Sequence, residues 1–124
     1  MSEKRVDLQK RTKEFAIRVI RLVDALPRNR ASDVLGRQLI RCATSVGANY
    51  RSARRAQSPA DFIAKMSIVE EEADESCCWM ELLADVDLVK KDLLSSLMTE
   101  GNELVAIAVA SVKTARSRQG SAIR

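Results

Sequence analysis

The sequence has no histidine, only two prolines and four glycines, and just 3% aromatic residues in a chain of 124. Without histidine, the chain lacks the commonest general base and the ligand that completes Glu-x-x-His metal sites in helical bundles. Few turn formers and few rings argue against a β-sandwich or barrel. Ala, Leu, Val and Ile dominate a hydrophobic content of 46%. This composition favours an all-α fold.

Disulfide, membrane and secretion signals are weak. The three cysteines are an odd number and two of them, Cys77 and Cys78, are neighbours, which makes a poor disulfide framework. The apolar run 104–112 is far shorter than the ~20 residues of a membrane-spanning helix. The N-terminus is charged where a signal peptide would be apolar. We therefore expect a soluble, cytoplasmic protein without a cofactor and without contact to a membrane.

Hydrophobic periodicity and capping residues predict four helices. The first runs from Leu8 to Leu26, and the second starts near Ser32 as its N-cap. Ser58-Pro59-Ala60-Asp61 is the strongest start signal, for the third helix, because Ser58 can cap and Pro59 suits the first helical turn. The third helix ends near Asp85–Asp87, and the fourth covers roughly Lys90 to Arg116.

Short connections force long helices to pack as antiparallel neighbours. We therefore predict one up-down-up-down four-helix bundle over residues 1–116, followed by a flexible basic tail at 117–124. The second and third helices are expected to be the longest and to form a tight hairpin.

Charge is distributed very unevenly. Residues 1–57 carry 14 Lys and Arg against 5 Asp and Glu, whereas residues 58–89 carry 1 against 9. At 100° per residue, four arginines of the second helix fall within about 80° of arc and a fifth lies nearby. Guanidinium groups in a row suit phosphate contacts, although the same row could instead pair with acids of the third helix. The candidate nucleic-acid-binding residues are Arg37, Arg41, Arg51, Arg54 and Arg55.

A second set of residues is assigned to helix packing. Gly47 interrupts a helix at a cost of about 1 kcal/mol relative to Ala, so we expect a close approach there, with Trp79 or Met80 filling the space. Asn49 lies on the apolar seam and needs a hydrogen-bond partner if buried, for which we expect Glu75 or Ser76. The full set is Gly47, Asn49, Tyr50, Glu75, Ser76 and Trp79.

Catalytic and metal chemistry find little support. The run 70–75 holds five acids, but carboxylates without histidine make only a weak hard-cation site. Cys42 and Cys77 read as small core residues, since no histidine is present to activate a thiolate. We expect no enzymatic activity and no bound metal.

Three strings resemble a known family in combination: SVGANYR (Ser45 to Arg51), ADFI (Ala60 to Ile63) and EEADES (Glu71 to Ser76). They look like the bacterial four-helix-bundle family encoded in intervening sequences of 23S ribosomal RNA. The accessory variability determinant of diversity-generating retroelements is a relative of that group. The likeness covers roughly residues 11 to 116.

The resemblance implies a homopentamer of four-helix protomers with a basic surface and a non-enzymatic role. Nucleic acid, RNA or DNA, would be its partner, and in the retroelement branch a reverse transcriptase as well. Two functions therefore remain open: a nucleic-acid-binding oligomer that uses the arginine row, and a protein scaffold or adaptor that does not touch nucleic acid.

Overall fold

The computed structural model describes residues 8–123, with side chains described to residue 120. All four predicted helices are present, and no strand occurs in the described part of the chain. The elements are α1 (Leu8–Asp24), α2 (Arg30–Arg54), α3 (Pro59–Asp85) and α4 (Lys91–Ile123). Residues 1–7 of the predicted domain lie outside the described residues.

The N-terminal caps confirm one prediction and correct another. Ser58 caps α3 by accepting a hydrogen bond from the Asp61 backbone N–H at 3.0 Å. Asn29, not Ser32, caps α2: its side chain accepts from the Ser32 N–H at 2.8 Å. Ser32 was a reasonable candidate by residue type, but Asn is an equally good cap and lies one turn earlier. Ser32 is buried within the first turn of α2.

The helix ends follow local backbone chemistry. α3 stops at Asp85, inside the predicted break, and Asp87 just beyond it has a positive φ of 60°, a conformation that Asp tolerates better than most residues. α4 continues past Arg116 to Ile123 and, at 33 residues, is the longest helix. The expectation that α2 and α3 are longest is therefore wrong. The flexibility of the segment 117–124 stays a prediction.

The helices pack as antiparallel neighbours around one apolar core. Phe15 of α1, Leu39 of α2, Met80 of α3 and Leu94 of α4 are each fully buried in it. Arg11 near the start of α1 pairs with Glu100 of α4, whereas Arg18, further along α1, donates to Ser96, nearer the start of α4. The two helices are therefore antiparallel. The predicted all-α, up-down-up-down bundle is confirmed.

One stretch, Lys91–Gly120 of α4, is long and apolar enough to cross a membrane by length and composition alone. It extends well beyond the run 104–112 considered above. Its leucines at 94, 97 and 104 are buried against the bundle, but only 28% of its apolar window is buried. The predicted absence of a membrane partner remains a prediction.

Candidate nucleic-acid interface

The five candidate arginines lie along α2 and at its C-terminal end, and the structure divides them into two groups. We call Arg37 and Arg41 the paired arginines, and Arg51, Arg54 and Arg55 the unpaired arginines. All five are exposed. Arg55 is the C-cap residue of α2 rather than a member of its helical face. The two sets of arginines differ in whether a carboxylate contacts the guanidinium.

The paired arginines are already in contact with carboxylates. Arg37 contacts Asp33, one turn earlier on the same helix, at 3.2 Å. Arg41 reaches across to α3, where its Nη2 lies 2.6 Å from Glu75 and its Nη1 lies 3.6 Å from Glu72. The second distance is a charge contact rather than a hydrogen bond. Arg41 therefore matches the alternative in which acids of α3 neutralise the row, whereas the acid that Arg37 contacts lies on α2 itself.

Behind Arg41 lies a thiol–carboxylate cluster that the sequence did not predict. One oxygen of Glu75 accepts hydrogen bonds from Arg41, from the Cys42 thiol at 3.0 Å and from the Trp79 indole N–H at 3.1 Å. The bonds from Cys42 and Trp79 hold the pKa of Glu75 below its usual value. Burial and the neighbouring carboxylates raise the pKa of Cys42 to about 12. Cys42 is therefore a protonated donor, not a nucleophile.

The same cluster offers the donor atoms of a metal site. Cys42, Glu72 and Glu75 place one ligand atom each within 4.8 Å of one another. Metal binding would require the thiol to lose its proton, and the guanidinium of Arg41 already contacts both carboxylates. In this structure the positive charge beside the two carboxylates is the guanidinium of Arg41.

The unpaired arginines have a different environment. Within residues 8–120, no carboxylate lies within 4.0 Å of their guanidinium groups. Arg54 donates a hydrogen bond to the side-chain carbonyl of Gln9 on α1, a neutral partner that leaves its charge intact. Their guanidinium groups are open to an anion from outside.

Two grooves at this end of the bundle gather further basic residues. In the first, between α1 and α2, Lys13 and Arg51 both line a groove whose other residues are mostly small. In the second, Arg54 and Arg118 line a larger groove with Tyr50 and Phe62. Lys13 and Arg118 were not among the predicted residues, because only the antiparallel fold brings the start of α1 and the end of α4 beside the C-terminus of α2.

Gly47 faces a different neighbour from the one expected, at an ordinary van der Waals distance rather than in a close approach. A Cβ at Gly47 would lie 3.5–3.7 Å from Thr12 of α1, and neither Trp79 nor Met80 is among the nearest atoms. The prediction of an α3 partner is therefore wrong, because this face of α2 turns toward α1. A tighter contact occurs at Gly101 of α4, where a Cβ would meet the sulfur of Cys77 at 2.7 Å.

The other packing residues were assigned with mixed success. Asn49 is half-buried and donates to the backbone oxygen and hydroxyl of Ser45, one turn earlier on its own helix, so the expected bond to Glu75 or Ser76 is wrong. Ser76 is fully buried and donates to the Glu72 carbonyl. Tyr50 and Trp79 are half-buried and pack against the core.

Comparisons with known proteins agree with this architecture. The model of the 23S rRNA-intervening sequence protein family matches residues 4–110. A crystal structure of a protein with unknown function from the S23 ribosomal protein family of Bacteroides thetaiotaomicron is 33% identical to this chain. The match has a TM-score of 0.79 and covers 85% of this chain and 94% of that one. No curated protein matches the sequence.

Proposed function

The chain belongs to the 23S rRNA-intervening sequence protein family, and from that premise we propose that it is a non-enzymatic oligomer that binds RNA or DNA through the unpaired arginines. The single observation that carries this proposal is the lack of a carboxylate near Arg51, Arg54 and Arg55 within the described residues. Three exposed guanidinium groups at one end of a rigid helix suit the spaced charges of a phosphate backbone.

The contacts would be made to phosphates and would not depend on nucleotide sequence. Arginines outside a groove of paired bases bind the backbone and carry no sequence information. The basic groove of Lys13 and Arg51 extends this surface onto α1. The proposed assembly is a homopentamer, as the family resemblance implies, so each particle would present this surface several times.

A non-enzymatic role is supported by the chemistry of the chain. There is no histidine in the sequence, and burial raises the pKa of Cys77 to about 11. Together with the protonated Cys42, the two buried thiols are poor nucleophiles near neutral pH.

The second candidate function is a protein scaffold or adaptor, for example an accessory subunit of a reverse transcriptase. The contacts of Arg41 with Glu72 and Glu75 favour it, since they use a candidate phosphate-binding residue for packing between helices. In that case the unpaired arginines would meet acids of another subunit or of a partner protein.

Two measurements on the purified chain distinguish the two functions. For the first, the affinity for a labelled RNA and a labelled DNA is measured at two or more salt concentrations. Neutralising Z phosphates gives a slope of log affinity against log salt of about −0.7Z for single strands. We expect a slope of about −2 or steeper if the three unpaired arginines each contact a phosphate.

The second measurement is the mass of the particle in solution, with and without nucleic acid. A pentamer that gains the mass of RNA or DNA supports the proposal. A particle of the same size that binds neither polymer at low salt would instead support the scaffold.

A further inference from the structure

The larger of the two grooves adds a second kind of chemistry to the basic end of the bundle. It has a volume of about 510 Å³, within the range of small-molecule sites, about 300–1,000 Å³. The C-terminus of α2, the N-terminal turns of α3 and the C-terminal turns of α4 form its walls, and Leu8 at the start of α1 closes one side.

Two of the chain's four aromatic residues line this groove. Tyr50 comes from α2 and Phe62 from α3, and Met66 and Ile107 add further apolar surface. Both rings are only half-buried, although each packs against the core on one side. The groove therefore offers ring surface to a ligand, on positions held by the packed bundle.

Two arginines lie in the same groove on different helices. Arg54 belongs to the C-terminal turn of α2, and Arg118 belongs to α4. None of the eleven lining residues is acidic, so nothing in the lining opposes an anionic ligand. In addition to Tyr50, the uncharged polar residues of the lining are Ser111 and Thr114.

A planar apolar face flanked by cations matches the chemistry of a nucleotide. Bases stack on aromatic side chains irrespective of their identity, while arginines hold the phosphates on either side. In a duplex the bases are stacked on one another and could enter the groove only after extrusion. The groove is also continuous with the unpaired arginines, because Arg54 belongs to both.

We propose that this groove takes one unpaired base of a single-stranded nucleic acid, stacked against Phe62 or Tyr50, with Arg54 and Arg118 on the adjoining phosphates. This inference rests on the proposed function and deepens it. It names the ligand as single-stranded nucleic acid and gives the groove a role that phosphate binding alone would not need.

The test uses the full chain and a short RNA that carries one fluorescent 2-aminopurine, offered either single-stranded or in a duplex of the same sequence. This base already stacks on its neighbours in the free strand, so its transfer to a ring of the groove should change its fluorescence. We expect the single strand to bind about tenfold or more tightly than the duplex at equal salt, since stacking of one base contributes about 1–3 kcal/mol.

Matched variants test whether the groove residues are responsible for the preference for single strands. Phe62→Leu removes a ring while keeping an apolar side chain, and it should weaken single-strand binding about fivefold or more without changing duplex binding. Arg118→Ala should weaken single-strand binding, whereas Arg116→Ala on the same helix should not, because Arg116 is exposed but does not line the groove. Thermal unfolding checks that each variant is folded.

Several outcomes would overturn the inference. Equal affinity for single strand and duplex, unchanged 2-aminopurine fluorescence, or equal effects of Arg118→Ala and Arg116→Ala would each do so. A groove filled by residues 1–7 or by a second copy of the chain would give those results while salt-dependent binding persists. No binding of any nucleic acid would overturn the proposed function as well. Competition by free adenosine monophosphate as strong as by the strand would identify a mononucleotide site instead.

Discussion

The two groups of arginines on α2 have the same side chain and the same helix, but opposite surroundings. Arg41 contacts two carboxylates of α3, whereas Arg51, only ten positions further along, meets none within the described residues. Identical residue types in one row therefore divide into a structural group and a group open to ligands. For Arg41 the neighbouring helix makes that division, and for Arg37 the acid comes from its own helix.

The register of α3 explains the difference. Antiparallel packing places the acidic run 70–75 beside Arg41 and Cys42 in the middle of α2. Opposite the end of α2 lie the first turns of α3, where the single acid in residues 59–65 is Asp61. Its carboxylate accepts from the Gln57 backbone N–H at the start of α3. If the acidic run lay about three turns nearer the start of α3, its carboxylates would face the unpaired arginines instead of Arg41.

The largest expected effect comes from reversing the charge of the unpaired group. Arg51→Glu with Arg55→Glu should lower nucleic-acid affinity by on the order of a hundredfold at low salt and reduce the salt slope by about 1 per arginine. Both residues are exposed and form no ion pair with a described residue, so the bundle should remain folded. Binding is measured by fluorescence anisotropy and folding by circular dichroism.

Arg37→Glu is the control for this reversal. Among the described residues, the guanidinium of Arg37 forms its ion pair with Asp33 on the same helix. The reversal therefore changes one paired charge, at the other end of the row from the unpaired arginines. We expect a much smaller loss of affinity, through net charge alone. Equal losses in the two variants would mean that the division between paired and unpaired arginines has no bearing on binding.

The next effect follows from releasing a paired arginine. Glu72→Gln with Glu75→Gln removes both carboxylates that hold Arg41, so Arg41 should become available to phosphates. We expect affinity to rise several-fold and the salt slope to steepen by about 1. Glu70→Gln with Glu71→Gln removes the same charge from the same helix without freeing Arg41. A similar gain in both double variants would attribute the effect to net charge.

A third effect tests the cluster behind Arg41 through pH. Burial raises the pKa of Cys42 from 9.0 to about 12, so above about pH 9 the unfolded chain loses this proton while the folded chain retains it. Stability is therefore complete below pH 9 and falls as pH rises toward 12, by up to about 1.4 kcal/mol per pH unit. Cys42→Ser keeps a hydroxyl donor for Glu75 and removes the titration.

The readout is urea unfolding of both proteins at pH 8 and at pH 10.5. The wild type should lose more stability over this interval than Cys42→Ser, because the other groups that titrate there are common to both. Cys78→Ser, which replaces an exposed thiol, should behave like the wild type. An identical pH dependence of wild type and Cys42→Ser would show that the buried thiol does not retain its proton.

Much of the fold could be predicted from the sequence, because helix positions depend on local patterns. Residues of α3 recur at 4-3 spacing from Phe62 to Leu83, as a helical core face requires; Phe62 is half-buried and the others are buried. Ser58 with Pro59 marks the start of α3. Asn29 was missed as a cap because Ser32 and Asn29 are comparable cap residues one turn apart. Such errors stay local and do not alter the bundle.

The candidate site was harder to predict, because it depends on how the helices rotate against each other. Periodicity placed Gly47 and Asn49 on faces of α2 but could not say that Gly47 meets Thr12 of α1. In the same way, the sequence placed five arginines close together on α2. It could not show that, of these five, Arg41 is the one in contact with Glu72 and Glu75. Tyr50 and Phe62 are 12 positions apart in sequence and line one groove only in the folded chain.

The smallest expected effect concerns Arg54, which is intermediate between the two groups. Its partner, Gln9, is neutral, so Gln9→Ala should leave nucleic-acid affinity within about twofold and stability within about 0.5 kcal/mol, as for most surface substitutions. Arg54→Gln, in contrast, removes the charge and should reduce the salt slope by about 1. If Gln9→Ala weakened binding as much as Arg54→Gln, the position of the guanidinium, held by Gln9, would matter as much as its charge. Arg54 would then belong with Arg41 as an arginine whose neighbour decides what it can bind.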